Sequence, residues 1–219
     1  GINFARKFVK TRYLFAFSPD ILGVNKNFLE KFEKIIKSKL EFGALGPRFL
    51  NVSQKSHKQS NEKNTIGSIN AISGSAMLIN IKSFDNINGF DENIFLFFEE
   101  NDFCKRLCKK KYKIFQINKA TVLHPKGVEK GVVKIKSKNI EKLQNFYGWH
   151  FMWSKYYFYK KNNNNIITII KFTPIFIRLI LRIFSSYLFS ANKTKKYSMR
   201  LQGLYASMTG TRSYKRINL

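Results

Sequence analysis

Between Thr11 and Pro125 the chain alternates short apolar runs of strand type with segments of helical spacing, and this alternation restricts the fold more than any single motif does. After a short amphipathic helix at 2–10, TRYLFAF (11–17) is rich in β-formers and is closed by the turn Ser18-Pro19-Asp20. Residues 26–39 carry apolar side chains at 28, 29, 32, 35 and 36, the spacing of one helix face. LEFGALGPRFL then reads as a strand broken by Gly-Pro, and 51–66 as a polar loop in which His57 is solvated. SINAISGSAMLINIKSF supplies a strand behind the small residues Ser73-Gly74-Ser75. A helix through FCKRLCKKKY, a short strand KIFQI and a further strand ATVLHPKG ending at His124-Pro125 complete the series. Strands and helices in turn predict an α/β sheet.

Three sets of polar residues fall at the expected strand ends. Asp20 follows the first strand, His124 the last, and Asp91, Glu92, Glu99, Glu100 and Asp102 crowd into GFDENIFLFFEENDF (89–103). In a parallel-type sheet such ends share one edge, where ligands bind. Oxygen and imidazole donors there suit Mg²⁺ or Mn²⁺, which would neutralise a diphosphate, and a nearby carboxylate could take a proton from an attacking hydroxyl. Each residue also has a plain structural reading: Asp20 as a turn former or cap, the Glu99–Asp102 cluster as the acidic first turn of a helix, His124 as a packing residue. Asp102 stands four residues before Arg106, the favourable direction for a helical ion pair.

The chain has 219 residues, 40 basic against 13 acidic, and a formal charge of +27. That excess calls for a polyanionic partner such as nucleic acid, an anionic membrane or a phosphorylated substrate, discounted somewhat because a bias to Phe, Tyr, Ile, Lys and Asn is also of the kind an AT-rich genome produces. Cys104 and Cys108 share a helical face, where a disulfide is geometrically unfavourable, and no His lies near them to complete a zinc site. A reduced, cytosolic chain fits. The sequence starts at Gly1 without a signal peptide and reads as a start inside a fold.

The texture changes beyond the Lys-rich stretch 126–140. EKLQNFYGWHFMWSKYYFYKK is aromatic and basic, NNNN interrupts it, and IITIIKFTPIFIRLILRIFSSYLFS (166–190) is long enough to span a bilayer. Lys171, Arg178 and Arg182, extended by Ser185 and Ser186, lie on one side of that helix with Ile, Leu and Phe on the rest. This favours a helix lying in the membrane plane over a span or a helix buried against protein. The following segment is expected to be a basic tail, docked on anionic headgroups or solvated.

Taken in order, GSAMLINIKSFDNINGFDENIFLFFEENDFCKRLCKKKYKIFQINKATVLHPKG resembles the C-terminal half of the catalytic domain of family 2 inverting glycosyltransferases, the rhamnosyltransferase-like members in particular. GINFARKFVKTRYLFAFSPD is similar to the helix and strand that lead to that family's Asp-x-Asp metal motif, and GWHFMWSKYYFYKK to its trailing aromatic segment. The resemblance covers most of 1–160 and implies a GT-A (Rossmann-like) mixed α/β sheet in 1–130, an aromatic and basic helical linker in 131–165, and a membrane-associating helix and tail in 166–219. It further implies that the family's first βαβ portion, which holds the nucleotide base, precedes Gly1, so that 1–219 alone binds nucleotide sugars weakly or not at all.

The same resemblance implies roles. Asp20, here in Ser-Pro-Asp with one acid of the usual pair, would hold a divalent cation on the donor diphosphate, with His124 as a further ligand. Gly74 and Ser75 would lie where the strand passes sugar and acceptor, and Asp91 and Glu92 would line the acceptor side. Glu100 matches the catalytic base, flanked by Glu99 and Asp102, with Arg106 held by Asp102. The implied partners are a nucleotide-sugar donor, a glycan or lipid-diphosphate-linked acceptor, and the cytoplasmic face of a bacterial membrane. Two other classes fit less of the chain. A basic nucleic-acid-binding protein is disfavoured by the carboxylate cluster, and a non-catalytic membrane scaffold derived from such a transferase would be favoured by liposome flotation without sugar transfer.

Overall fold

A computed structural model describes residues 1–50, 59–60, 63–124 and 137–216. The expectations for His57 and for most of the Lys-rich stretch 126–140 lie outside the described residues. The chain divides into two compact units, Gly1–Asp91 with Glu99–Lys130, and Glu92–Phe98 with Gly131–Leu219.

In the first unit, helix α1 (Ile2–Arg6) leads into β1 (Tyr13–Phe17), α2 (Lys26–Lys37), β2 (Ala44–Phe49), β3 (Ile66–Ser68), β4 (Ala76–Asn80), α3 (Ile81–Asn86), α4 (Glu99–Lys109) and β5 (Ile114–Val122). The strands form one mixed sheet in the order β1-β4-β2-β5-β3. Only β2 and β5 run parallel; β4 is antiparallel to both β1 and β2, and β3 to β5.

Alternation along the strands builds a core on each face of this sheet. Ala76 and Leu78 of β4 point to the side where Phe28, Phe32 and Ile35 of α2 pack, while Met77 and Ile79 point to the side of Phe84, Phe103 and Leu107 from α3 and α4. Burial on both faces is why the strands read as nearly unbroken apolar runs. Asn25 caps α2 by accepting from the Phe28 amide at 2.9 Å. Each fully buried aromatic of this core contributes on the order of 1.5–3 kcal/mol of transfer free energy.

Three local expectations are corrected here. KIFQI and ATVLHPKG are not two strands but the single β5, and the Gly46-Pro47 step does not break β2. Instead the β2–β5 register jumps at that point, from Pro47 opposite Ile117 to Arg48 opposite Thr121. Proline offers no amide to the ladder, so the partner strand bulges there. The polar segment before Asn70 also yields a short edge strand, β3, whose three residues pair with β5.

The second unit holds α5 (Ser137–Asn162), α6 (Asn165–Tyr187) and α7 (Ala191–Met208). The NNNN interruption is a helix–helix turn in which the Asn164 side chain caps α6 through the Ile167 amide at 2.8 Å. Met152 and Tyr156 of α5, Phe172 and Leu179 of α6, and Leu204 of α7 make its core. The expected tail after 190 is therefore a helix with its own apolar row, Tyr197, Leu201 and Leu204. Close approach of α5 and α7 depends on Gly203, where a β-carbon would lie 2.2 Å from the Trp149 carbonyl oxygen. Among the described residues no helix is long and apolar enough to cross a membrane.

Candidate active site at one edge of the sheet

The strand pairing brings the polar turns of the first unit to one edge. Phe17, the last residue of β1, pairs with Ala76, the first of β4, because the two strands are antiparallel. β2 and β5, parallel to each other, end at this same edge. The expected edge of a parallel-type sheet is thus an edge of a mixed sheet, and Ser73-Gly74-Ser75 reach it because they precede a strand that runs the other way.

Contacts between these turns are direct. The Ser18 amide donates to the Ser75 carbonyl at 2.8 Å, which fixes the Ser-Pro-Asp turn against the start of β4. The Leu22 and Leu123 backbones exchange hydrogen bonds at 2.9 and 3.0 Å, and this bridge seats Asp20 beside the end of β5. There Asp20 Oδ2 lies 3.1 Å from His124 Nε2, both side chains being more than a third exposed. Next to the bridge is a cavity of about 260 Å³, lined by Leu22, Gly23, Asn25, Leu50 and Thr121 among others.

Glu100 reaches the same neighbourhood from α4. A β-carbon placed on Gly74 would sit 3.5 Å from the Glu100 β-carbon, an ordinary van der Waals distance, so the Glu100 side chain starts directly beside the β4 entrance. Glu99, Glu100 and Asp102 occupy the first turn of α4, where the helix dipole favours negative charge. The two residues before this helix, Phe97 and Phe98, have φ of 65° and 67°, a left-handed conformation that is strained for bulky side chains.

Asp102 differs from its acidic neighbours. It is fully buried, and its Oδ2 accepts from Arg106 Nε at 2.7 Å while Arg106 Nη1 donates to the Ile87 carbonyl at 2.6 Å. The pair ties α4 to the turn that precedes Gly89-Phe90-Asp91. The same turn is held from the other side by α1, since Asn3 Nδ2 donates to the Phe90 carbonyl and the Phe90 amide donates back to Asn3 Oδ1, at 2.8 and 2.9 Å. Asp91 closes the first unit and is half-buried, whereas Glu92 opens the segment assigned to the second unit and is exposed. Cys104 is buried and its Sγ accepts from the Ile72 amide at 3.5 Å; neither it nor Cys108 forms a disulfide.

The residues fit a divalent cation in part. Asp20 Oδ1 is buried without a hydrogen-bond partner among the described residues, and Asp20 with His124 offers two adjacent donors. No group of three or more His, Cys, Asp and Glu side chains is placed to hold a metal ion among the described residues. Two protein donors are a common complement for a hard cation that takes the rest of its shell from substrate phosphate and water.

Sequence reasoning missed the roles of Ser18 and Ser75 as the clamp between the first turn and β4. Their contact is backbone to backbone, which side-chain chemistry in the sequence does not mark.

No family model matches this chain, and no curated protein matches it. Among solved structures, thirteen chains match. One is the crystal structure of S. aureus TarS 1-349 in complex with UDP-GlcNAc, 12% identical, with 97% of this chain and 72% of that chain covered and a TM-score of 0.45. A likeness at that level bears no weight for chemistry.

Proposed function

We propose that this protein is an inverting glycosyltransferase that moves a sugar, rhamnose in the first instance, from a nucleotide-sugar donor to a hydroxyl of a glycan carried on a lipid diphosphate. The observation that carries the reading is the meeting of four sequence-distant segments at one sheet edge: Asp20 against His124, Ser18 against Ser75, and Gly74 against Glu100. The ordered series of motifs from Gly74 to His124 supports it independently.

In this reading Glu100 is the general base. The acceptor oxygen attacks the anomeric carbon as the bond from that carbon to the diphosphate oxygen breaks; the nucleoside diphosphate leaves and the acceptor proton passes to the Glu100 carboxylate. Glu99 raises the negative charge beside it, and Gly74 and Ser75 leave the sugar and acceptor access to the strand entrance. Asp91 lines the acceptor side. Asp102 is a positioning residue that acts through Arg106. Asp20 and His124 would hold Mn²⁺ or Mg²⁺, which when bound supplies positive charge against the donor diphosphate; an imidazole donor favours Mn²⁺. The proposed place of action is the cytoplasmic face of a bacterial membrane.

The test is a transfer assay on the protein as encoded in its genome, with a panel of labelled nucleotide sugars and lipid-extract acceptors. Glu100→Gln is expected to lower kcat by roughly 10²-fold or more while leaving donor Kd nearly unchanged. Full turnover in that variant would remove Glu100 from the role, and salt-sensitive binding of single-stranded nucleic acid without any transfer would replace the reading altogether.

A further inference from the structure

We infer that the outward face of α6 is a docking surface for an anionic lipid bilayer, with the helix lying in the membrane plane. The inference concerns the second unit alone and does not rest on the transfer reading.

Helix α6 carries three rows of residues rather than two. Thr168, Phe172, Leu179 and Ser186 form the buried row that faces α5 and α7. At about 3.6 residues per turn, Ile166, Ile170, Ile177, Leu181, Phe184 and Leu188 form a second apolar row nearly opposite, and each of them is at least half exposed. The turn after α6 adds Phe189, at 85% the most exposed large apolar side chain described. A contiguous apolar face of this kind on a soluble surface marks an interaction site.

Charge identifies the occupant. Lys171, Arg178 and Arg182 make the third row, on the flank between the two apolar ones, and all three are exposed. Two of them brace against the bundle: Lys171 Nζ lies 4.1 Å above the Tyr159 ring and donates to its hydroxyl at 3.0 Å, and the Arg182 guanidinium lies 5.4 Å from the Tyr197 ring. α7 carries the exposed Lys195, while its Lys193 and Lys196 line a separate cleft with Glu141 of α5. From Lys142 to Leu219 there is no Asp or Glu. An anionic headgroup layer matches an apolar stripe with a cationic flank, whereas a second copy of this face would set like charges together with no carboxylate to relieve them. The sequence pattern alone places the basic row opposite the apolar surface. The packing shows that one apolar side is spent on the bundle and leaves the other, with Leu188 and Phe189 at its end, for lipid.

Vesicle flotation of the full chain tests this without donor or acceptor, so its outcome is separable from that of the transfer assay. The native protein is expected to float with phosphatidylcholine vesicles containing phosphatidylglycerol, and Ile177→Ser/Leu181→Ser/Phe184→Ser to lose roughly tenfold or more of that partition with unchanged helical circular dichroism. As a conservative second variant, Phe184→Trp is expected to retain binding and to have its fluorescence quenched by lipids brominated near the headgroup end of the acyl chain. Equal partition of the triple variant, no quenching of the added Trp, or a native dimer that the triple variant dissociates while neither form floats, would each overturn the inference.

Discussion

His124 and Asp20 face each other across 3.1 Å although they close the last and first strands of the sheet. Both side chains are more than a third exposed, so the contact contributes at most about 1 kcal/mol to folding. His124→Ala is therefore expected to leave the urea midpoint close to the native value and to raise the Mn²⁺ concentration needed for transfer. A variant that unfolds early with unchanged Mn²⁺ dependence would make the pair structural.

Among the described residues, Glu100 is the one within reach of a β-carbon on Gly74. A methyl group there meets the Glu100 side chain at van der Waals distance, 3.5 Å to its β-carbon and 3.8 Å to its γ-carbon. Gly74→Ala should fold normally and keep transfer near the native rate, whereas the larger Gly74→Leu must push the Glu100 side chain aside and lower transfer. Parallel thermal melts and kcat measurements separate the two effects.

The Asp102–Arg106 pair is buried on its acid side, at 1% side-chain exposure, and only lightly exposed on its basic side. Removing one partner strands a charge in the interior. Asp102→Ala is expected to destabilise the first unit by about 3–5 kcal/mol, visible as a lower urea midpoint. A loss under about 1 kcal/mol would place the pair with ordinary surface bridges.

Gly203 permits contact between α5 and α7 that no side chain can share. Gly203→Ala puts a methyl 2.2 Å from the Trp149 carbonyl oxygen and 2.9 Å from its carbon, so backbone must move. The expected cost is about 1–3 kcal/mol or more, with emission from Trp149 and Trp153 shifting to the red as the helices part.

His150 sets a pH limit on the second unit. Nε2 lies 2.9 Å from the Lys215 carbonyl and must carry the hydrogen, so Nδ1 accepts from the Ser213 hydroxyl at 3.1 Å. Burial lowers its pKa below the usual 6.5; the bond to the Lys215 carbonyl opposes that shift, and the Arg216 and Lys215 charges add to it. The unfolded chain thus binds a proton in a range where the folded one does not, and stability falls as pH drops below 6.5 toward the lowered value. Melting curves of native protein and His150→Gln between pH 7 and 5 should converge as this contribution disappears from the native protein.

Much of the candidate site was legible because turn chemistry is local. Ser-Pro-Asp after TRYLFAF, the small residues before AMLIN, and the acidic start of α4 each declare themselves within a few positions. The i,i+4 pair of Asp102 and Arg106 follows from helical spacing alone. Less legible were the direction of β4, the union of KIFQI and ATV in one bulged strand, and the three residues of β3, because pairing partners lie tens of residues away.

The sequence by itself determined where apolar rows and polar turns fall along this chain, since those repeat with the 2.0 and 3.6 periods of the backbone. Only the tertiary structure decided which row meets which. It set Asp20 against His124 through the Leu22–Leu123 bridge, and it spent the Phe172–Leu179 side of α6 on the helical bundle while leaving the Ile170–Leu181 side outward. Periodicity is a property of neighbours along the chain, whereas burial depends on which distant surface arrives to cover it.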